Sequence, residues 1–491
     1  MAHVRLLLPL ARPLPDHWRL CAALEGEGHV VSIDWRAAPT EPLGLSLVVT
    51  LESLLYGGGA DREADRAALA LARRARGDGA RADITFDLTG APAPPNGAYA
   101  PLYDESFADL ARDAALLAGR APALALARAT PDGPAIFARA RPAIDRPERL
   151  ANGRRAVTDA VQSMALALAR SARLIEPAPC EAAPPRPRGA IAFAAASLAG
   201  AVEARLKRLV SHPANWRVGW RALNGGPTTL EAARPPDPRA WTWLADTPSR
   251  FYADPFIHQR DGITAIFLEE YPYATGKGVI SAFTLDADGR ACEPTIIIER
   301  PHHLSYPFLF ERDGALWMMP ESSAVGTLEL FRCDAFPFRW SAQGAVLNGR
   351  NMSDATLVEI GDQWIMTAAV NAPGASTWDS LSVFRAVSPF GPWREEGGGP
   401  LLIDASSARP AGDWAHIDGA WLRPTQDCRA GYGAGLAICR VDDWREGAFA
   451  QTIVSRLGPP AGSASHGVHT LNAKAGFEAI DSLGPWTEAA P

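Results

Sequence analysis

From residue 250 onward, apolar residues come in short runs broken by charged tight turns. One unit is Phe251-Tyr-Ala-Asp254-Pro255-Phe256-Ile-His-Gln-Arg-Asp261-Gly262-Ile-Thr-Ala-Ile-Phe-Leu-Glu269. It returns 52 residues later as Ser305-Tyr306-Pro307-Phe308-Leu-Phe-Glu-Arg-Asp313-Gly314-Ala-Leu-Trp-Met-Met-Pro320-Glu321, so Pro255 matches Pro307 and Glu269 matches Glu321. A weaker copy starts at Asp354 and turns at Gly361-Asp362. An apolar run, an Asp-Gly turn and a second run predict a β-hairpin, because Gly accepts the positive φ of the turn. Each hairpin is followed by a further strand, Leu328–Arg332, Leu381–Arg385 and Leu436–Arg440, at spacings of 53 and 55 residues. A period of about 50 with several strands per unit predicts propeller blades. Residues 211–491 are therefore expected to form an all-β five-bladed propeller, with Trp216–Trp220 an outer strand that closes the ring to the last blade.

The first 175 residues have a different rhythm. Apolar runs at Val4–Leu8, His29–Trp35 and Asp83–Thr89 predict strands; Asp16–Leu24, Ala60–Arg76 and Arg149–Leu174 have helical spacing, and Leu45–Leu51 fits a strand or short helix. Alternating strands and helices predict an open α/β sheet of Rossmann-like type. Between the two parts, Glu176–Gly189 holds five prolines in fourteen residues and reads as an exposed linker. The helix expected over 190–209 has Ile191, Phe193, Leu198 and Val202 on its apolar face, a face that needs cover and is expected to find it on the propeller. The domain plan is thus 1–175, a linker and helix over 176–210, and 211–491.

Composition supports the division: two of the fifteen tryptophans, Trp18 and Trp35, precede residue 210, and thirteen follow it. A formal net charge of -7 gives no footprint for nucleic acid or an anionic membrane surface. Six scattered cysteines form no CxxC pair and no compact framework. With no apolar run of about 18 residues and no secretory h-region, a cytoplasmic protein without a membrane span is expected.

The chemistry is expected where the blades' inner strands begin, since equivalent positions converge at one mouth of a propeller. Asp254, Tyr306 and Asp354 hold such positions in successive blades, and Glu269 and Glu321 end the next strands. Paired carboxylates are what glycosyl transfer to water or another acceptor requires. Asp254 is read as the base, Glu321 as the acid and Asp354 as the group that tunes them. Each has a structural alternative, because Asp beside Pro also caps turns through its own backbone. His303, Arg409, His416, Asp418, Arg423, His466 and His469, with Tyr306, are candidate substrate contacts. Trp317, Trp364, Trp414 and Trp421 are candidates for stacking on sugar rings, or fill the space between blades. No metal and no cofactor are expected. Gly57-Gly58-Gly59 precedes a predicted helix but lacks dinucleotide or P-loop spacing, so a plain turn is the better reading.

The series Tyr252–Phe256, His303–Phe308, Met319-Pro-Glu321, Asp354-Ala-Thr356, Arg423–Cys428 with Tyr432-Gly433, and His466–Asn472 resembles the N-terminal domain of glucosamine inositolphosphorylceramide transferases. It covers roughly 215–485. That domain in turn looks like the five-bladed propellers of furanosidase-type glycoside hydrolases, which open their first blade on an Asp-Pro pair. In such hydrolases an acid Glu is expected near His416 and Asp418, where this chain has none. In layout, residues 1–175 look like the N-terminal half of folate-dependent formyltransferases, but the Asn-His-Asp motif of those enzymes is missing, so the likeness implies fold alone. The resemblances imply a protein that acts on or binds a glycan or glycolipid. The alternatives are a non-catalytic glycan-binding module and a transferase whose N-terminal domain holds a nucleotide-linked donor.

Overall fold

The computed structural model describes all residues except 11–14, 57–80, 180–188, 211–214, 235–237, 246, 287, 372–375, 460–464 and 485–491. The chain forms two compact units. One is Met1–Val210 with Pro373–Ser376 and Gly397–Asp404; the other is Ser211–Ala372, Thr377–Glu396 and Ala405–Pro491. Among the described residues no helix is long and apolar enough to cross a membrane.

The N-terminal unit is built on a mixed six-stranded sheet in the order β2-β1-β3-β4-β5-β6. Its strands are β1 His3–Pro9, β2 Val30–Arg36, β3 Ile84–Asp87, β4 Tyr99–Tyr103, β5 Leu124–Thr130 and β6 Gly133–Ala140. Strands β1 to β4 run parallel, while β5 and β6 are added antiparallel as a hairpin. Helix α1 (Pro15–Gly26) makes the crossover between β1 and β2, and α2 (Leu43–Tyr56) follows β2, where a strand or short helix was expected. Helix α3 (Asp109–Leu117) and strands β4 to β6 have Ala-rich runs that carry little periodicity and were not expected. Helix α4 (Leu150–Ala169) buries Val157, Val161 and Met164 in the same core as Leu6, Leu20 and Phe86. Its first turn is held by the buried Glu52 of α2, whose oxygens accept from Leu150 N (2.6 Å) and Ala151 N (3.0 Å). The glycine run 57–59, the helix expected over 60–76 and most of the proline-rich linker lie outside the described residues.

Helix α5 (Ala190–Val210) corrects one expectation. It packs on α2, with Phe193 in a small core beside Leu45, Val48, Leu116 and Leu150, and so finds its cover within the N-terminal unit. The buried positions are Phe193 and Ser197, whereas Ile191, Leu198 and Val202 are exposed. The contact stripe is therefore rotated from the face chosen on hydrophobicity. Close approach explains it: the position of a Cβ on Gly44 of α2 is 3.3 Å from Ala190 Cβ, so small residues set the contact.

The second unit is a five-bladed β-propeller. Blade 1 comprises Arg250–Arg260, Ile263–Pro272, Val279–Leu285 and Thr295–Ile298; blade 2 comprises Ser305–Arg312, Ala315–Glu321, Thr327–Ala335 and Arg339–Asn348. Blade 3 starts with Met352–Ile360, Gln363–Val370 and Ser380–Ala386, and blade 4 comprises Ala415–Ile417, Ala420–Gln426, Leu436–Asp443 and Ala450–Leu457. Blade 5 joins the two ends of the unit: Leu471–Lys474 and Phe477–Gly484 pair with Asn215–Ala222 and then Thr242–Trp243. The segment Trp216–Trp220 thus closes the ring. The turns Asp261-Gly262, Asp313-Gly314 and Gly361-Asp362 each link a first strand to a second. Apolar side chains of neighbouring blades interlock between the sheets, with Phe256, Phe308, Met318, Leu357 and Met366 in one cluster.

Candidate functional site

In blades 1 to 3 the first strand carries a β-bulge near its start. Pairing slips by one residue between Ala253 and Phe256, between Ser305 and Phe308, and between Ser353 and Thr356. At each bulge a non-glycine residue takes left-handed φ: Asp254 at 51°, Tyr306 at 43° and Asp354 at 55°. Such conformations cost on the order of 1–3 kcal/mol each and persist where the surroundings fix them. Pro255 and Pro307 follow directly, so the bulge leaves no N–H there in need of a partner. The bulges of blades 1 and 3 bring Asp254 and Asp354 to one mouth of the ring, whereas the Tyr306 ring is buried beneath it.

A pocket of about 220 Å³ opens at that mouth, lined by Asp254, Glu269, Glu321 and Asp354, by Arg409, His303 and His469, and by the aromatic rings of Trp216, Phe251, Tyr271 and Tyr432, with Ala253 and Ser305. Asp254 Oδ1 accepts from Thr470 Oγ1 at 2.7 Å and lies 3.6 Å from His469 Nε2; Oδ2 accepts from Tyr306 N at 3.2 Å. Behind it, the fully buried Asp481 gathers the closing blade. Its carboxylate accepts from the backbone N–H groups of Asp254 (3.1 Å), His469 (2.9 Å) and Thr470 (3.0 Å), and lies 2.5 Å from His469 Nδ1. The His469 ring is stacked on Trp216 at 3.9 Å between centroids. Gly433 makes room for that tryptophan: a Cβ there, at φ 63°, would come within 2.6 Å of the indole.

Glu321 and Asp354 sit across the pocket in a saturated network. Glu321 accepts from Ser323 Oγ (2.8 Å), Ser353 Oγ (3.2 Å) and Asp354 N (3.1 Å). Asp354 Oδ2 accepts from Arg409 Nε at 2.5 Å and Gln426 Nε2 at 3.0 Å. Arg409 also donates to Thr377 O at 3.2 Å and lies over the Tyr432 ring. Glu269 differs: its one close polar neighbour among the described residues is His303, with Nε2 3.4 Å from Oε1.

Crowding of buried acids sets the electrostatics. Burial, then the nearby carboxylates, pushes Glu269 well above the ordinary Glu range. Burial also raises Asp254, against the opposing pull of His469, and raises Asp354 against the pull of Arg409. For His469 the two facing carboxylates of Asp481 and Asp254 outweigh the large effect of burial, and its value is raised. Burial lowers His303, so its neutral form is favoured.

The structure brings together Asp254, Glu321, Asp354, His303, Arg409 and His469 of the residues singled out in the sequence. Tyr306 lies beneath them, fully buried, with its hydroxyl 2.8 Å from Thr356 Oγ1. Four candidates are elsewhere. His416 and Asp418 flank the exposed hairpin turn of blade 4, where Asp418 (φ 49°) does the work of Asp261 and Asp313; that turn is at the opposite end of the strands from the pocket. Arg423 is completely buried and donates to the carbonyls of Ser407 and Ala408 and to Gln451 Oε1, which makes it a brace between strands. His466 is exposed, and its backbone N–H donates to Leu483 O.

The tryptophans are corrected as well. Trp317, Trp364 and Trp414 pack in or against aromatic clusters between sheets, and Trp421 stands beside Trp414 and His416. Trp216 takes the place at the pocket. Asp481 and Tyr271 are lining or supporting residues that the sequence left unmarked, and Tyr432 and Trp216 were noted there without a place in the site. Glu269 carried a signal, since the repeat pairs it with Glu321. Among the described residues, Asp254, His469 and Asp481 have ligand atoms within 4.8 Å of one another, a donor set that could hold a cation.

Residues 239–458 match the family model described as glucosamine inositolphosphorylceramide transferase 1, N-terminal. The glucosamine inositolphosphorylceramide transferase 1 of Arabidopsis thaliana is 31% identical over 199 residues, which cover 40% of this chain and 26% of the plant protein. The protein of that name from Oryza sativa subsp. japonica is 30% identical over 223 residues, 45% of this chain and 30% of the relative. The chain thus spans less than a third of the length of either relative. An α-L-arabinanase of Cellvibrio cellulosa, solved with arabinohexaose, aligns with 41% of this chain and 77% of its own at 16% identity and a TM-score of 0.33, a likeness too loose to carry any residue across. Over residues 239–458 the propeller is thus similar to the N-terminal domain of glucosamine inositolphosphorylceramide transferases.

Proposed function

We propose that the propeller binds a glycan or glycoconjugate in the pocket at its mouth and transfers a glycosyl group to water or another acceptor. The observation that carries this reading is the convergence of Asp254, Glu269, Glu321 and Asp354, from three successive blades, on one aromatic-lined pocket. At about 220 Å³ it is smaller than the ~300–1,000 Å³ of sites for drug-sized ligands, and suits one sugar ring. Trp216, Tyr271 and Tyr432 offer apolar faces to such a ring, while the carboxyl groups offer acceptors to its hydroxyls. Asp254, fixed by Thr470 and the Tyr306 N–H, has the position of a base; a facing carboxyl group supplies the proton for the leaving oxygen. Asp354, tied to Arg409, tunes the field between them.

The names of the plant relatives, which are glycolipid sugar transferases by description, support a glycoconjugate as the substrate. An anionic glycan is disfavoured, because the Arg409 guanidinium is already committed to Asp354 and three further carboxyl groups line the pocket. In the N-terminal unit the parallel β2-β1-β3 arrangement supports a Rossmann-like reading, and a nucleotide-linked donor held there would make the protein a transferase. A thermal-shift titration of the full chain with nucleotide sugars tests that point; no shift at millimolar ligand rejects it.

The central test is turnover of aryl furanosides and aryl glucosaminides by the full chain, wild type against Asp254→Asn. A loss of about 10²- to 10⁴-fold is expected from removing a general base. Unchanged turnover in the variant rejects the catalytic reading. Sugar binding without turnover in the wild type leaves the propeller a binding module.

A further inference from the structure

Glu269 and Glu321 end equivalent strands of adjacent blades, yet their surroundings differ in kind. Glu321 accepts three hydrogen bonds from Ser323, Ser353 and the Asp354 backbone, so its oxygens are occupied. Glu269 is 6% exposed and lines the pocket, and among the described residues it has no cation beside it. Its neighbour His303 is oriented from behind: Gly278 N–H donates to His303 Nδ1 at 2.8 Å. An accepting Nδ1 leaves the ring proton of the neutral imidazole on Nε2, which faces Glu269 Oε1 at 3.4 Å. The glycine is required by the fit, since a Cβ at Gly278 would be 2.7 Å from Glu269 Oε1, 2.8 Å from His303 Cε1 and 2.4 Å from Leu304 O.

We propose that Glu269 is the proton donor to the leaving oxygen, with His303 as its positioning residue, and that Glu321 has the structural task of holding the blade 3 bulge. The inference rests on the glycosyl-transfer reading above. In the step, the glycosidic C–O bond breaks and the leaving oxygen takes the proton of the Glu269 carboxyl group. The acceptor oxygen forms the new bond to the anomeric carbon and gives its proton to Asp254, and exchange with solvent resets both groups. Burial, then the nearby carboxylates, pushes Glu269 well above the ordinary Glu range, whereas at Asp254 the upward push of burial is opposed by His469 and by the hydrogen bond from Thr470, an asymmetry of the kind that paired carboxyl groups need.

Three measurements on the full chain test the proposal. The first needs no substrate: urea unfolding of wild type and Glu269→Gln from pH 5 to 8. The neutral amide removes a group that resists ionisation in the fold, so the folding constant of the variant relative to wild type is expected to climb with pH, by up to about tenfold per unit. A ratio that stays flat overturns the protonated state and with it the donor role. The second compares methyl and 4-nitrophenyl glycosides of the same sugar. Glu269→Gln is expected to lose at least about 100-fold on the methyl glycoside, whose leaving group needs the proton, and far less on the nitrophenyl glycoside. Equal losses on both, or this leaving-group pattern in Glu321→Gln instead, overturn the assignment. His303→Ala is expected to move the alkaline limb of the rate profile upward, because the carboxylate loses a donor, and His303→Gln to restore it; an unmoved limb removes the positioning role. If the wild type turns over neither glycoside, the transfer reading itself fails, while the unfolding data still report on the Glu269 proton.

Discussion

The two ends of the propeller use one backbone device for opposite purposes. At the hairpin end, Asp261, Asp313 and Asp418 take φ near 50° in turns, each followed by a glycine, and Asp418 is exposed. At the pocket end, Asp254, Tyr306 and Asp354 take φ of 43° to 55° inside strands and are buried. A left-handed Asp in an exposed turn is inexpensive, because its carboxyl group is hydrated and the turn needs that conformation. The buried set bears backbone strain and desolvation together, and is held by Thr470, Glu321, Arg409 and Gln426 from other strands and blades. Identical torsions therefore mark a turn in one place and a site in the other, and only the burial of the side chain separates them.

The contrast is broken most severely at Arg409. Arg409→Met strands Asp354 in the interior without its cation, and about 3–5 kcal/mol of stability should be lost in urea unfolding. The double variant with Asp354→Asn should recover a good part of it, whereas additive losses would show that the two groups are not coupled. The pH dependence comes next. Asp254, Glu269 and Asp354 have carboxyl values raised above the ordinary 3.8 or 4.5, so the fold binds more protons than the unfolded chain once pH exceeds about 4. His469 is raised above 6.5, so its charged form stabilises the fold below that pH and the benefit fades as pH rises through the folded value. The signs agree: these groups make stability fall from mildly acidic toward alkaline pH, by up to about 1.4 kcal/mol per unit for each proton. Denaturant midpoints that rise from pH 5 to 8 would contradict that balance. At the hairpin end the effects shrink. Asp313→Ala should cost about 1 kcal/mol and Asp313→Gly close to nothing. His416→Ala and Asp418→Ala should leave sugar binding and turnover about equal to wild type, since both residues stand at the opposite end of the strands from the pocket.

What could be read in advance follows the repeat. The 52-residue echo aligned Asp254 with Tyr306 and Glu269 with Glu321, because hairpins of one length in successive blades keep one register. Asp418 was a candidate because the hydrolase resemblance puts an acid near it, but the first strand of blade 4 has only three residues, Ala415–Ile417, and Asp418 falls in the turn that follows. Trp216 and Asp481 come from the closing blade, whose strands are drawn from distant parts of the chain and share no repeat. Tyr432 stands on the loop before Leu436–Asp443, outside any periodic run. In the N-terminal unit the first three strands were legible from their Val, Leu and Ile runs, whereas β5 (Leu124–Thr130) and β6 (Gly133–Ala140) are rich in alanine, which marks neither a buried nor an exposed face.

The manner in which the ring closes has a consequence for the order in which the pocket is assembled. Trp216 enters the pocket from Asn215–Ala222 and His469 from the segment before Leu471–Lys474, while Asp481 of Phe477–Gly484 supports them from behind. A ribosome releasing the chain from its N-terminus would have completed blades 1 to 3, with Asp254, Glu269, Glu321 and Asp354 all synthesised, well before the residues that bind them into one site. Until Phe477–Gly484 emerges and pairs with Asn215–Ala222, the Asp254 bulge lacks the carboxylate that holds its backbone N–H. The pocket is therefore complete only once the two ends of the propeller unit have paired, so ring closure and site assembly are one event.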